Sequence, residues 1–122
     1  MTRISVTNSI FTPGSRVLTT TGGGPQQDCA AMPNRRPVES ILQACFSSYL
    51  FDHNVIFDGG GGWPKNNQTA RNAKDVGFVN YAGGHGGDYR LAPQSKFKHT
   101  ASDGKDPGAD VDEIEQATKG VL

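Results

Sequence analysis

The sequence lacks the features that identify membrane-spanning and nucleic-acid-binding proteins. No stretch approaches the ~18 consecutive apolar residues that a membrane span needs, and the N-terminal residues have no apolar signal-peptide core. The 122 residues carry 12 basic and 12 acidic side chains, so the formal charges cancel, and no dense Lys/Arg cluster forms a basic face. We therefore expect no membrane span and no nucleic-acid partner. Without a leader, the chain is either cytosolic or a piece of a longer protein.

Apolar residues are also scarce. Hydrophobic residues make up 34% of the sequence, while Gly occurs 16 times and Pro 7 times. A helical bundle needs long apolar stripes, so this composition argues against one. It is typical of many short strands joined by tight turns, or of partial disorder.

Only two cysteines are present, Cys29 and Cys45, sixteen positions apart. A disulfide between them would stabilise the folded chain by about 3 kcal/mol in the chain-entropy model, because it closes a loop of this length. It would also imply an oxidising compartment. The alternative is two free, partly buried thiols. No histidine or second cysteine pair lies at ligand spacing, so a zinc site is not expected. We predict the disulfide, because the polar segment between the cysteines has little else to hold it.

One short motif occurs twice. Asn8-Ser9-Ile10-Phe11 recurs 46 positions later as Asn54-Val55-Ile56-Phe57, and each copy leads into a glycine-containing turn. A repeated unit of this kind can decide the whole fold, and we interpret the two copies as successive rungs of coiled β-structure. The predicted core and self-assembly residues are Ile10, Phe11, Ile56, Phe57 and Val79.

Two helices are predicted. Pro37 lies at a first helical position, with Val38, Ile41 and Leu42 at helical spacing, which indicates a short helix inside a loop insertion at 25–45.

The second predicted helix spans residues 109–120 and caps the domain. Asp110 is a good N-cap, Glu113 follows at capping-box spacing, and Gly120 lies where a terminating glycine is favoured.

Three segments in the second half resemble one family. They are Asp75-Val76-Gly77-Phe78-Val79-Asn80, Gly87-Asp88-Tyr89-Arg90-Leu91-Ala92-Pro93-Gln94-Ser95, and Asp103-Gly104-Lys105-Asp106-Pro107-Gly108-Ala109-Asp110. These segments look like the C-terminal end of right-handed parallel β-helix, pectate-lyase-like proteins, which are secreted, carbohydrate-associated solenoids. One departure is Ser95-Lys96, where the family usually has Ser-Pro.

The resemblance, which covers residues 46–120 well and 3–21 loosely, implies an all-β fold, a short right-handed parallel β-helix (a β-solenoid). Together with the residue patterns above, it predicts one domain, 1–122, with the inserted disulfide-clipped loop at 25–45 and the terminal cap helix. It also implies an extracellular or cell-surface location. Family members have many rungs before this tail, whereas this chain has room for about three. An uncapped solenoid end exposes strand edges and apolar surface, so we expect other copies to cover it, forming a homo-oligomer or filament.

Candidate catalytic residues are Asp52, His53 and Asp58, which offer carboxylates and an imidazole for acid–base work. The lyases of the resembled fold use calcium-binding aspartates and an arginine base on one strand face, and no such pattern is visible here. We interpret the three residues as solvated corner residues.

Other side chains are candidates for binding calcium or a sugar. Asp103, Asp106 and Asp110 are candidate calcium ligands, but their spacing is not that of an EF-hand and Asp110 is explained by capping, so no cofactor is expected. Trp63, Tyr49 and Tyr81 are candidates for stacking on a polysaccharide, although Trp63 could instead anchor the neighbouring glycine loop. Asn67-Gln68-Thr69 matches an N-glycosylation sequon, which matters only in a secretory host.

The function predicted from these observations is a non-catalytic, extracellular, structural or carbohydrate-associated β-solenoid module that self-associates. The alternative is a remnant or subunit of a polysaccharide lyase or glycoside hydrolase. A cytosolic β-sandwich binding protein is disfavoured by the resemblance.

Overall fold

The computed structural model describes residues 3–13, 38–83 and 85–120. Strands and helices are mixed along these residues. In chain order they are β1 (Arg3–Thr7), β2 (Ile10–Phe11), α1 (Val38–Cys45), β3 (Ser48–Asp52), β4 (Val55–Phe57), β5 (Gln68–Ala70), α2 (Ala73–Val76), β6 (Phe78–Asn80), β7 (Asp88–Leu91) and α3 (Val111–Thr118). The N-terminal part of the predicted insertion, including Cys29, lies outside the described residues, so its disulfide with Cys45 stays a prediction.

The strands form three small sheets. β1 pairs with β3 in parallel, and β2, β4 and β5 form a second parallel sheet with β4 at its centre. β6 and β7 form an antiparallel pair. β1 and β2 therefore lie beside β3 and β4, as in two adjacent rungs. This arrangement is confined to the first half of the described chain.

The prediction of an all-β, right-handed β-solenoid is wrong. Mixed parallel and antiparallel sheets and three helices make up the described residues, and the strands do not close into a solenoid. The path changes after β5, where the Asn72 side chain caps α2 and Gly77, at φ 86°, ends it in the left-handed region. The next two strands then form a hairpin instead of another rung, because antiparallel neighbours need only a short connection.

The two copies of the repeated motif pair one residue away from the register that aligning their identical residues would give. Aligning identical letters places Ile10 opposite Ile56, whereas the structure places Ile10 opposite Val55. The corner residues account for this shift. Asn8 and His53 have φ values of 55° and 56°, and the observed register sets these left-handed corners side by side, which the letter alignment does not.

Asn54 is the buried polar residue that joins the rungs, with a fully buried side chain. Its Oδ1 accepts a hydrogen bond from the Ser9 amide at 3.0 Å, and its Nδ2 donates to the Val6 carbonyl at 2.9 Å. Nδ2 also donates to Asn67 Oδ1 at 3.0 Å. One side chain therefore connects the first rung to the turn before β5.

The core lies between the second parallel sheet and the hairpin. Val55, Phe57, Ala70, Val76, Leu91 and Phe97 form its buried cluster. Of the predicted core residues, Ile56 and Phe57 are buried, Ile10 and Phe11 are half-buried, and Val79 is 52% exposed. Val79 is therefore a surface residue.

The C-terminal segment covers part of the edge that was expected to be open. The Gly108 amide donates to the Asn8 carbonyl at 2.7 Å. The Asn8 side chain exchanges two hydrogen bonds with Ser102, each 2.9 Å long. Gly108 has φ +88°, and a Cβ there would lie 3.1 Å from Ile10 Cδ1. The chain itself thus covers the corner beside β2, whereas within the described residues β1 pairs only with β3.

Both helices form where their sequence signals predict them. α1 buries Val38, Ile41 and Leu42, and Asp110 caps α3 by accepting from the Glu113 amide. α3, however, has no buried residue, and its apolar Ile114 is 51% exposed.

Candidate functional site

The Asp52–His53 pair lies at the corner between β3 and β4. His53 Nδ1 is 2.9 Å from Asp52 Oδ1, and the two side chains are 39% and 24% exposed. Asp58 lies at the opposite end of β4 and is exposed. The structure therefore brings two of the three candidate catalytic residues together.

Asp58 borders a cleft of about 630 Å³ that also contains Arg71, Asp75 and Lys96. The pKa of Asp75 is lowered, first by the hydrogen bond from the Arg71 amide, which outweighs burial, and then by the positive charges of Lys96 and Arg71. Asp75 therefore stays ionised at neutral pH. The cleft offers both donors and acceptors, a combination that can bind the hydroxyl groups of a sugar.

The three candidate calcium ligands each have another partner. Asp103 accepts from the Lys105 amide, Asp106 pairs with Lys98 Nζ, and Asp110 caps α3; the corresponding distances are 3.0, 2.9 and 3.0 Å. In the described part of the chain, no group of three or more His, Cys, Asp or Glu residues is arranged to hold a metal ion.

Trp63 anchors the glycine loop. Its ring stacks on Phe51 at 5.7 Å between centroids and meets the edge of Phe11 at 5.8 Å. Its Nε1 donates to the Gly59 carbonyl at 3.3 Å. A Cβ on Gly59 would lie 2.7 Å from Ile56 Cγ2, so the loop packs too closely for any larger residue.

Tyr49 and Tyr81 have different surroundings from Trp63. Tyr49 is half-buried, and its hydroxyl donates to Glu39 of α1 at 3.4 Å. Ring contacts join Tyr81 to a second aromatic cluster, which shares no ring with the Trp63 cluster. The three predicted sugar-stacking residues therefore do not form one platform.

The second aromatic cluster is the most distinctive exposed feature of the described surface. Tyr81 stacks on Phe78 with centroids 5.7 Å apart, and it meets Phe57 and Tyr89 edge-on at 6.1 and 6.0 Å. Nevertheless, 46% of Tyr81 is exposed. We name the exposed part of this ring the Tyr81 surface. The sequence identified Tyr81 alone, since nothing local indicates that Phe57, 24 positions earlier, would pack against it.

A glycine closes the hairpin that carries this surface. Gly87 has φ +87°, and a Cβ there would lie 2.5 Å from the Asn80 carbonyl oxygen. Because only glycine fits this close approach, it lets Asn80 pair with Asp88 and holds Tyr81 just beyond the end of β6.

Arg90 connects the hairpin to α3, a role the sequence did not indicate. Its Nη1 lies 3.0 Å from Asp88, Nε 2.8 Å from Asp112 and Nη2 2.6 Å from Glu115. These partners raise the pKa of Arg90. The pKa of Asp88 is lowered, first by the hydrogen bond from the Arg90 amide, which outweighs burial, and then by the guanidinium.

We expect acid to release α3 before the core unfolds. Asp88 holds the Arg90 guanidinium, which in turn binds Asp112 and Glu115 of α3. Because the folded pKa of Asp88 is lowered, its stabilising contribution is present above the unfolded pKa of about 3.9 and is lost as the pH falls through the folded value. A helix of eight residues that buries none of them is marginal without such contacts. Amide exchange at pH 5 and at pH 2.5 should show loss of protection in α3 with β4 still protected.

Arg90→Ala should produce the same loss at neutral pH, and Lys65→Ala, which removes an exposed charge outside α3, should not. Unchanged α3 protection in Arg90→Ala would show that other contacts hold the helix.

Comparison with known proteins identifies no relative of this chain. No protein-family model, curated protein or solved structure matches the chain. No helix in the described residues is long and apolar enough to cross a membrane.

Proposed function

We propose that this chain is a non-catalytic, extracellular, carbohydrate-associated module that binds a polysaccharide on the Tyr81 surface. One observation carries the proposal: the Tyr81 ring is packed by three other rings and still leaves almost half of its area exposed. An aromatic ring presents an apolar face on which the C–H face of a sugar can stack.

Packing prepares this ring for binding. Ordering a free side chain on binding costs about 0.5–1.5 kcal/mol, and contacts with Phe57, Phe78 and Tyr89 restrict Tyr81 before any ligand arrives. Asn80 and His85 are exposed on either side of it in the hairpin. Their amide and imidazole groups are suited to hydrogen bonds with sugar hydroxyls.

The expected self-association of the module remains part of the proposal. The outer edge of β1, which has no strand partner within the described residues, is where copies would pair, because an unpaired strand edge is a template for another strand. The Asn8–Ser102–Gly108 contacts cover the corner beside β2 in each copy, so copies would not pair at that corner.

A second candidate function is a subunit of a glycoside hydrolase or polysaccharide lyase. It is favoured by two carboxylates, Asp58 and Asp75, in one cleft, since glycosidases use a pair of carboxylates. The lowered pKa of Asp75 suits a nucleophile or base. Asp58→Asn would abolish hydrolysis under this function and leave polysaccharide binding unchanged under the first.

The test of the proposed function is binding of Tyr81 variants to a panel of soluble polysaccharides, measured by affinity electrophoresis and calorimetry. Tyr81→Ala should weaken binding by about tenfold or more, equivalent to about 1.4 kcal/mol, whereas Tyr81→Trp should retain it. Val79→Ala, at another exposed position of the same hairpin and without a ring, is the matched control. Trp63 fluorescence should change little, because that ring belongs to the other cluster. Equal binding by Tyr81→Ala and the wild type, or no binding to any polysaccharide, would refute the proposal.

A further inference from the structure

Asn67 lies in a glycosylation sequon, and the fold uses its whole side chain. The sequon Asn67-Gln68-Thr69 runs from a turn into β5, where Gln68 pairs with Val55 and Thr69 with Ile56. The modifiable atom of such a site is the side-chain amide nitrogen, Nδ2. Its surroundings decide whether a folded chain can carry a glycan.

The Asn67 amide nitrogen is surrounded by backbone carbonyls. It donates to the carbonyl oxygen of Phe51 at 2.8 Å, of Pro64 at 3.0 Å and of Lys65 at 3.3 Å. A primary amide has two hydrogens, so both are in use here. Phe51 belongs to β3, which means that these bonds hold the turn of residues 64–67 against the neighbouring rung.

The amide oxygen of Asn67 has an equally specific role. It accepts from the side-chain nitrogen of Asn54 at 3.0 Å and from the Asn54 amide at 3.3 Å. Asn54 is fully buried. If Asn67 were displaced, the Asn54 backbone amide would lose this partner, and Asn54 Nδ2 would keep only the Val6 carbonyl. A buried donor without a partner destabilises the fold.

We propose that N-glycosylation of Asn67 and native folding are mutually exclusive, so that the sequon is an acceptor only in the unfolded chain. In the transfer, Nδ2 forms a bond to the anomeric carbon of a lipid-linked oligosaccharide, the anomeric C–O bond to the lipid pyrophosphate breaks, and Nδ2 gives up one proton as that leaving group departs. The product keeps one N–H on Nδ2, whereas two N–H groups now donate to the three carbonyl oxygens. The attached sugar also occupies the space in which those carbonyls lie.

The consequence is a competition during synthesis in a secretory host. A chain that pairs Asn54 with Asn67 first becomes resistant to modification. A chain glycosylated first cannot form this pair, and its Asn54 backbone amide lacks the Asn67 partner. This competition rests on the sequon and the contacts of Asn67, and it is independent of any sugar bound at Tyr81.

The experiment incubates the purified full-length chain with an oligosaccharyltransferase and a lipid-linked oligosaccharide, once folded and once held unfolded in the highest urea concentration that the enzyme tolerates. Modification of a protected site follows the population of the open form, so the unfolded chain should be modified about tenfold faster or more. The glycosylated product, after removal of urea and trimming to a single sugar, should show disordered circular dichroism and rapid proteolysis.

Two variants complete the test. Thr69→Ala removes the sequon at an exposed position, and it should fold normally and remain unmodified under both conditions. Asn67→Gln removes the sequon together with the contacts, and it should be unmodified and destabilised. Equal modification rates for the folded and unfolded chain, or a glycosylated product with the wild-type spectrum and protease resistance, would overturn the proposal.

Discussion

Replacing Ile56 by Asp should unfold the protein. Ile56 is completely buried at the centre of the second parallel sheet, where it pairs with Phe11 on one side and Thr69 on the other. Burying an unpaired carboxylate costs several kcal/mol, which is comparable with the total stability of about 5–15 kcal/mol expected for a domain. Circular dichroism without denaturant should show loss of the folded spectrum.

Val79→Asp is the matched control, because it makes a similar chemical change at a side chain that is 52% exposed. Its midpoint in urea should stay close to that of the wild type, with a change of about 0.5 kcal/mol or less. A folded Ile56→Asp variant with the wild-type midpoint would show that the sheet is packed differently.

The second large effect is expected for Asn54→Ala. The substitution leaves the Ser9 amide and the Val6 carbonyl without the Asn54 side chain, and it leaves Asn67 Oδ1 with the Asn54 backbone amide alone. Each unsatisfied buried group costs about 1–3 kcal/mol, so the free energy of unfolding should fall by about 2 kcal/mol or more. Urea unfolding followed by Trp63 fluorescence measures this, because Trp63 packs on the adjoining rung.

Asn80→Ala is the control for Asn54→Ala, since it removes the same amide from an exposed position and should cost about 0.5 kcal/mol or less. Combining Asn54→Ala with Asn67→Ala should cost less than the sum of the two single variants, because the two side chains share hydrogen bonds. Strict additivity would mean that the two asparagines stabilise the rungs independently. A loss below about 1 kcal/mol for Asn54→Ala would indicate that water replaces it.

Local sequence signals predicted the two longer helices. Asp110 and Glu113 lie within one turn of the start of α3, and helix start signals depend on hydrogen bonds inside one turn. The helical spacing of Val38, Ile41 and Leu42 is equally local. α1 and α3 therefore lie where the pattern placed them. The short strands around the two Ile-Phe pairs also follow from local composition.

The candidate site was predictable only in part. Tyr81 was identified as a single aromatic residue, but the rings that hold it, Phe57, Phe78 and Tyr89, come from three different strands. Trp63 has a polar anchor and two ring partners that no spacing pattern indicates. The Arg90 contacts with Asp112 and Glu115 join positions more than twenty residues apart.

Composition and local pattern thus decided where short strands and helices form along this chain, because backbone preferences and caps act over one or two turns. They did not decide how the strands combine. The left-handed corners at Asn8 and His53 set the register, and the Asn54–Asn67 pair joins the rungs. The hairpin after Gly77 then ends the parallel arrangement. These features depend on contacts between residues far apart in sequence, and only the folded chain brings them together.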